Sequence, residues 1–129
     1  MDAAAAAGIS DIGQIAINAK DLRRAVGFYR DVLGLPLLFE IPSAAFFQAG
    51  GVRLIIGPAE QPQFDHPASI IYYRVGDIQA SFAALTGAGV QIEHEPRMIA
   101  KMPDHDLWMC FFRDSEGNVA ALMSEVRGS

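Results

Sequence analysis

The chain has 129 residues, of which 51% are hydrophobic and 19% are charged, and its formal net charge is −5. This is the composition of a folded globular chain, and its acidic balance disfavours a nucleic-acid partner, because binding phosphates needs an excess of basic side chains. No apolar run is long enough to cross a bilayer, and the single cysteine, Cys110, excludes an intrachain disulfide and a cysteine-based metal motif. We therefore expect a cytoplasmic protein without a nucleic-acid or membrane partner.

The first half of the chain predicts one strand, one helix and three more strands. Residues 12–18 (IGQIAIN) favour a strand, and Asp21 is a suitable N-cap for the amphipathic helix that follows. Gly34 is placed to end this helix, with a proline two residues later. Residues 35–41, 44–49 and 52–57 predict strands, and the Gly50-Gly51 pair indicates a hairpin turn between the last two.

A proline-rich segment, residues 59–68, indicates a linker, and after it the pattern starts again. Residues 70–75 predict a strand, Asp77 an N-cap and residues 78–89 an amphipathic helix. Strands are then expected at residues 90–95, 107–114 and 118–126, the last two joined by the turn DSEG. Residues 96–106 (PRMIAKMPDHD) have no counterpart in the first half, and we interpret them as an inserted loop able to fold over a cleft.

This internal repeat predicts the fold class. Residues 15–22 align with residues 71–78, and Gly51 aligns with Gly117. Each half is thus a βαβββ module, and the α+β chain is expected to be a single domain in which a curved antiparallel sheet surrounds a cleft. Module 1 covers about residues 11–58, the linker residues 59–68 and module 2 about residues 69–126.

Strand alternation predicts which side chains face the cleft. The residues expected to pack on the two helices are Ile15, Ile17 and Ala19 in module 1 and Ile71, Tyr73 and Val75 in module 2. The residues expected to face the cleft are Gln14, Ala16 and Asn18 in module 1 and Ile70, Tyr72 and Arg74 in module 2. Gln14 is notable because a buried amide must find a partner, either on the protein itself or on a bound molecule.

Two motifs resemble a known superfamily. Residues 13–35 (GQIAINAKDLRRAVGFYRDVLGL) and residues 111–125 (FFRDSEGNVAALMSE) are similar to the opening strand and helix and to the closing hairpin of vicinal oxygen chelate proteins. These include glyoxalase I, bleomycin-resistance proteins, fosfomycin-resistance enzymes and extradiol dioxygenases. The hairpin is usually F-R-D-P-D-G-N, and here Ser115 and Glu116 replace Pro-Asp. The resemblance spans nearly the whole chain and implies the fold, but the fold hosts many activities.

The resemblance also implies where a metal would be held. The superfamily's metal enzymes use four cleft-facing positions, which fall here on Gln14, Ile55, Ile70 and Ala121. Three of these side chains are hydrocarbon, and of their immediate neighbours along the chain only Ser69 is polar. A divalent ion needs several N, O or S donors, so we predict neither a bound metal nor another cofactor.

The predicted ligand-binding residues share an apolar cleft with few polar anchors. They are Gln14, Arg53, Ile55, Ile70, Tyr72, Arg74, Trp108 and Ala121. An arginine in such a cleft either clamps a carboxylate or phosphate or pairs with a nearby acid, and both readings remain open. Trp108 is expected to stack on the ligand.

The histidines are candidates for proton transfer. His105 is the candidate catalytic residue, since it lies in the insertion between Asp104 and Asp106, and flanking carboxylates favour the charged imidazolium. His66 and His94 have weaker cases, and a solvated surface histidine is the simpler reading of all three.

The leading hypothesis is a metal-independent homodimer that binds a small apolar or aromatic molecule, nearest in class to bleomycin-resistance proteins. The first alternative is a metal-dependent lyase, isomerase or dioxygenase with relocated ligands, such as Gln14 with His66 or His105. The second is metal-free acid–base catalysis by His105.

Overall fold

The structure is a computed structural model, and it describes residues 7–9, 11–59, 62–65 and 69–127. Two modules with the same order of elements follow each other along the chain. The first contains β1 Gln14–Asn18, α1 Leu22–Gly27, a π-helical turn Phe28–Val32, β2 Leu37–Ile41, β3 Ala44–Ala49 and β4 Val52–Gly57. A 3-10 turn, Pro62–Phe64, precedes the second, which contains β5 Ile71–Arg74, α2 Ile78–Gly87, β6 Ile92–Lys101, β7 Asp106–Arg113 and β8 Val119–Val126. Within the described residues, no helix has the length and apolar character that crossing a bilayer requires.

The predicted helix starts are confirmed. The Asp21 carboxylate accepts the backbone N–H of Arg24 at 3.1 Å, and the Asp77 carboxylate accepts two backbone N–H groups at the start of α2, also at 3.1 Å. Each cap satisfies backbone donors that the first helical turn leaves without partners. Gly34, at φ +75°, has the left-handed conformation that ends the first helical segment at the expected place.

Each module forms a four-stranded sheet, and the prediction that the sheets are antiparallel is wrong at one strand pair in each. The strand orders are β1-β4-β3-β2 and β5-β8-β7-β6. Within them, β1 runs parallel to β4 and β5 runs parallel to β8, so both sheets are mixed. The helix between the first and second strands of a module lets the last strand return beside the first in the same direction.

The interpretation of residues 96–106 as an inserted loop is also wrong. β6 continues to Lys101 and β7 begins at Asp106, so the segment lengthens a hairpin and only residues 102–105 form its turn. Pro96 is compatible with this strand because β6 lies at the edge of its sheet, where a missing N–H breaks no inner ladder. The pairing with β7 is also irregular across the proline, with a register shift between His94 and Arg97.

The core consists of two clusters, each between a sheet and its helix. As predicted, Ile17 and Ala19 are buried in the first cluster and Ile15 packs against it. Cys110 is fully buried, and burial raises the pKa of its thiol, so the reactive thiolate is disfavoured.

The helix-side surfaces of the two modules pack on each other. Phe28 and Leu33 contact both core clusters, and so does Tyr73 from β5. Ile71 was expected on the second helix, but it packs against the first cluster, while Val75 packs on the second as predicted. The outer face of each sheet, which is the face opposite its helix, is therefore not used in this packing.

A buried carboxylate joins the modules. Asp114 follows β7 and is only 6% exposed. Its Oδ2 accepts the Tyr29 hydroxyl of module 1 at 2.6 Å and the Asn118 side-chain amide at 2.9 Å, and its Oδ1 accepts the backbone N–H groups of Glu116 and Asn118 at 2.8 Å each. The Asn118 amide also donates to the Asn18 carbonyl oxygen at 3.2 Å. These bonds offset the desolvation of the charge and orient the β7–β8 turn against module 1.

A second polar contact reinforces the same junction. Glu116, which replaces the more usual aspartate of the turn, accepts the Arg24 side chain in a bidentate pair at 2.8 and 3.1 Å and the Asp21 backbone N–H at 3.1 Å. The Arg24 hydrogen bonds lower the pKa of the Glu116 carboxyl. Glu116, the residue that replaces the usual aspartate, is therefore paired with Arg24 of module 1.

We expect Tyr29→Phe to lower the free energy of unfolding by about 1–3 kcal/mol, because it removes a donor from a buried carboxylate. Urea unfolding followed by circular dichroism measures this difference. Tyr72→Phe is the matched control, since Tyr72 is 44% exposed and no hydrogen bond of its hydroxyl is found in the described structure. Equal stability of Tyr29→Phe and wild type would contradict a structural role for this bond.

Stability should also fall in alkaline solution. Burial, together with nearby Tyr73 and Asp114, holds the pKa of the Tyr29 phenol above its ordinary value. The unfolded phenol ionises near pH 10, so above that pH the unfolded state binds fewer protons and the free energy of unfolding falls by about 1.4 kcal/mol per pH unit for each such tyrosine. Urea midpoints from pH 8 to 11 should decline more steeply for wild type than for Tyr29→Phe; parallel declines would exclude this linkage.

Candidate functional site

The outer face of the first sheet carries Gln14 and Arg53, which lie opposite each other on β1 and β4. The Arg53 Nε donates to Gln14 Oε1 at 2.9 Å. The guanidinium lies over the Phe46 ring, 5.8 Å from its centroid, and Phe46 stacks on Phe39 with centroids 4.4 Å apart and an interplanar angle of 18°. The Gln14 amide thus has a partner on the protein, and together the two side chains present a positioned cation.

Ile55 lies on the same face, between Ala16 on β1 and Phe46 on β3. The row formed by these three side chains and Phe39 is apolar across the sheet. The structure therefore brings three of the predicted ligand-binding residues, Gln14, Arg53 and Ile55, onto one surface.

The outer face of the second sheet carries a row of rings. Ala121 on β8 lies between Tyr72 on β5 and Phe111 on β7, and it is fully buried. The Tyr72 and Phe111 rings meet edge to face at 5.8 Å, and His94 continues the row at 6.2 Å from Phe111. The small alanine lets the two rings approach across the strand between them.

Two other predicted residues lie near this row. Arg74 makes a loose ion pair with Glu125, with 3.9 Å between nitrogen and oxygen, and its side chain remains 71% exposed. Arg74 therefore pairs with a nearby acid, which was one of the two interpretations that the sequence allowed for an arginine in the cleft. Ile70 precedes β5 and is exposed.

Trp108 lies apart from the other predicted residues. It alternates in phase with Cys110 and Phe112 on β7 and packs against the second core cluster, on the helix side of the sheet. Tyr72 and Phe111 lie on the opposite side. The structure does not bring Trp108 together with them, and its stacking on a ligand stays a prediction.

A groove of about 560 Å³ runs between the modules. Its walls are mainly apolar and include Ile15, Leu33, Leu35, Leu54, Ile71, Val75, Leu122 and Met123. Tyr72 and Arg74 also line it. Strand alternation predicted that Ile15, Ile71 and Val75 pack on the helices, and it does not reveal how two modules dock.

The His105 segment contains a pair of interacting residues. His105 Nδ1 lies 2.7 Å from Asp104 Oδ1, and Asp104 Oδ2 accepts Arg127 Nη1 at 2.8 Å. Arg127 and then His105 lower the pKa of the Asp104 carboxyl. Asp106, the other flanking acid, pairs instead with Lys101 at 3.3 Å. The pair lies at the tip of the β6–β7 hairpin, and His105 is not among the residues that line the groove.

His94 is the other histidine that the structure describes. His94 Nδ1 lies 2.7 Å from the Glu95 carbonyl oxygen, a contact within one strand. His66 lies outside the described residues.

The side chains at the four implied metal positions do not fit a metal ion. Gln14 Oε1 already accepts a hydrogen bond from Arg53, and the other three positions carry Ile55, Ile70 and Ala121. In the part of the chain that the structure describes, no three or more His, Cys, Asp or Glu side chains converge as a metal site would require. The donor chemistry of these four positions therefore does not match that of the superfamily's metal enzymes.

Comparison with known proteins identifies the superfamily. The family model of the Glyoxalase/Bleomycin resistance protein/Dioxygenase superfamily matches residues 11–122. The chain belongs to this superfamily. A comparison with curated proteins finds no significant match.

Solved structures with the same fold include proteins of different function. A superfamily member from Sphaerobacter thermophilus DSM 20745 aligns with TM-score 0.75 and 20% identity over 91% of this chain and 98% of that one. TnmS3, an antibiotic binding protein from Streptomyces sp. CB03234, aligns with TM-score 0.73 and 21% identity over 92% and 98%. Lactoylglutathione lyase from Agrobacterium tumefaciens aligns with TM-score 0.71 and 22% identity over 91% and 95%. At these identities the likeness shows the fold alone.

The donor set predicts the outcome of a metal-retention experiment. After incubation with Mn, Fe, Ni and Zn salts and exhaustive dialysis, elemental analysis should find far less than one metal ion per chain, because no cluster of donors is available in the described residues. Near-stoichiometric metal would contradict this and would favour the enzyme alternative with relocated ligands.

Proposed function

We propose that this protein binds a small, largely apolar or aromatic molecule without using a metal. The observation that carries the proposal is the groove between the modules, whose volume of about 560 Å³ lies in the range of small-molecule sites and whose walls are mainly hydrocarbon. Such a groove gains free energy by removing an apolar ligand from water.

Tyr72 and Arg74 are the groove residues suited to orienting a ligand. The Tyr72 ring offers a flat contact surface, held on one edge by Phe111, and a hydroxyl for hydrogen bonding. Arg74 is bound only loosely to Glu125, so it can offer N–H donors at modest cost.

Binding is favoured over catalysis by the kinds of residue present. The groove lining contains no histidine, aspartate, glutamate or cysteine among the described residues, and these are the usual groups for proton transfer and covalent catalysis. Acid–base catalysis by His105 would need a substrate at the hairpin tip. Among the solved neighbours, TnmS3 is described as an antibiotic binding protein and another as a lyase, so residues at the site and not the fold must decide.

We also propose a homodimer that acts in the cytoplasm. The edge strands β2 and β6 leave Leu38 45% exposed and Met98 44% exposed. Exposed apolar surface of this kind suits a partner subunit. Sedimentation equilibrium at micromolar concentration tests the dimer, and a monomer at all concentrations would exclude it.

The neutral fluorophore N-phenyl-1-naphthylamine tests the groove. We expect it to bind wild type with enhanced fluorescence and to bind Tyr72→Ala at least about fivefold more weakly, because the aromatic contact between Tyr72 and the fluorophore is lost. Ile99→Ala is the matched control, since Ile99 is a similarly exposed apolar residue that does not line the groove. Absence of binding, or equal loss in both variants, would contradict the proposal.

A further inference from the structure

The Tyr73 hydroxyl is a buried polar group that the protein chain does not satisfy. Among the side chains that the structure describes, it is the buried nitrogen or oxygen atom for which no hydrogen-bond partner is found. Burial of a hydroxyl without a partner is unfavourable, and most such groups in folded proteins are bound to protein or to an ordered water. The Tyr73 hydroxyl therefore needs a partner from outside the chain.

The neighbours of this hydroxyl show where it lies. Tyr73 packs against both core clusters, at the junction of the two modules. Burial and the nearby Asp114 carboxylate raise the pKa of the Tyr73 phenol, and Tyr73 in turn raises the pKa of Tyr29. The hydroxyl is therefore close to the buried carboxylate and to the tyrosine of module 1 that donates to it.

These two neighbours do not serve as direct partners. The Asp114 carboxylate already accepts four hydrogen bonds, which is about the number that its lone pairs allow. The Tyr29 hydroxyl donates its proton to that carboxylate and keeps its oxygen as an acceptor, but its approach to Tyr73 does not have hydrogen-bond geometry. A polar contact that is slightly too long or misaligned is often bridged by a water.

A small cavity adjoins both tyrosines. Its volume is about 10 Å³, which is close to the smallest volume that holds one water molecule and is too small for a larger ligand. Its lining includes the polar residues Tyr29, Ser69, Tyr73 and Asn118. A buried water needs two to four polar partners, and this lining can supply them.

We propose that this cavity is a binding site for a single water molecule, which accepts the Tyr73 hydroxyl of module 2 and donates to the Tyr29 oxygen of module 1. The water would add a solvent-mediated contact between the modules beside the Asp114 hydrogen bonds. The site is separate from the proposed ligand groove, because the Tyr73 side chain lines the groove while its hydroxyl is buried away from solvent.

A crystal structure at a resolution that orders water molecules tests the site directly. We expect one water in the cavity, within about 2.6–3.0 Å of the hydroxyl oxygens of both Tyr73 and Tyr29. A direct bond between the two hydroxyls, or a cavity without electron density, would overturn the proposal. Equal stability is expected in NaCl and in choline chloride of the same ionic strength, and a dependence on Na⁺ would overturn it in favour of a bound cation.

The variant Tyr73→Phe tests the same site in solution, because it keeps the ring and removes the hydroxyl. We expect its equilibrium constant for unfolding, measured by urea denaturation, to rise at least about threefold, since the water loses a partner. Tyr72→Phe is the matched control, as the same substitution at the adjacent exposed residue, and it should behave as wild type. A hydroxyl without any partner would instead leave Tyr73→Phe as stable as wild type or more stable, which would contradict the proposal.

Discussion

The arrangement of the molecule depends on one buried carboxylate. Asp114 accepts four hydrogen bonds, one of which comes from the Tyr29 hydroxyl in the other module. A charge removed from water is tolerated only when its partners are all in place, so this contact is strongly directional, whereas apolar packing alone tolerates sliding. It orients the β7–β8 turn against the first helix and thereby sets how the two helix-side surfaces meet. The groove between the modules and the free outer faces follow from that docking.

Much of the fold could be predicted because it is encoded locally. Asp21 and Asp77 are helix caps whose chemistry involves neighbouring residues only, and the glycine turns act in the same way. The parallel pairing of β1 with β4 could not be predicted from neighbouring residues. It joins residues about forty positions apart and depends on the path of the chain through the helix. The extension of β6 was missed because Pro96 reads as a strand breaker, and only its place at the edge of the sheet makes it acceptable.

The candidate site was predictable in part for the same reason. Alternation along a strand correctly separates Ile15 and Ile17 from Gln14, but it does not give the register between strands, which pairs Gln14 with Arg53. The same alternation could have placed Trp108 beside Cys110 and Phe112, since all three are in phase on β7. The groove could not be predicted from the sequence, because its walls consist of residues that a single module would bury in its own core. Docking of the modules decides which of them stay accessible.

The alanine at position 121 bears on how this scaffold could be redesigned. The Tyr72 and Phe111 rings close over it, and it is fully buried. A carboxylate introduced there alone would be forced beneath two aromatic rings, with its desolvation uncompensated and the ring contact broken. Engineering a metal centre on this sheet therefore requires replacing Ala121 together with Tyr72 or Phe111. A variant with only one of these changes would be less stable. The Tyr72 and Phe111 rings thus sterically prevent a metal-binding side chain from replacing Ala121 on this face.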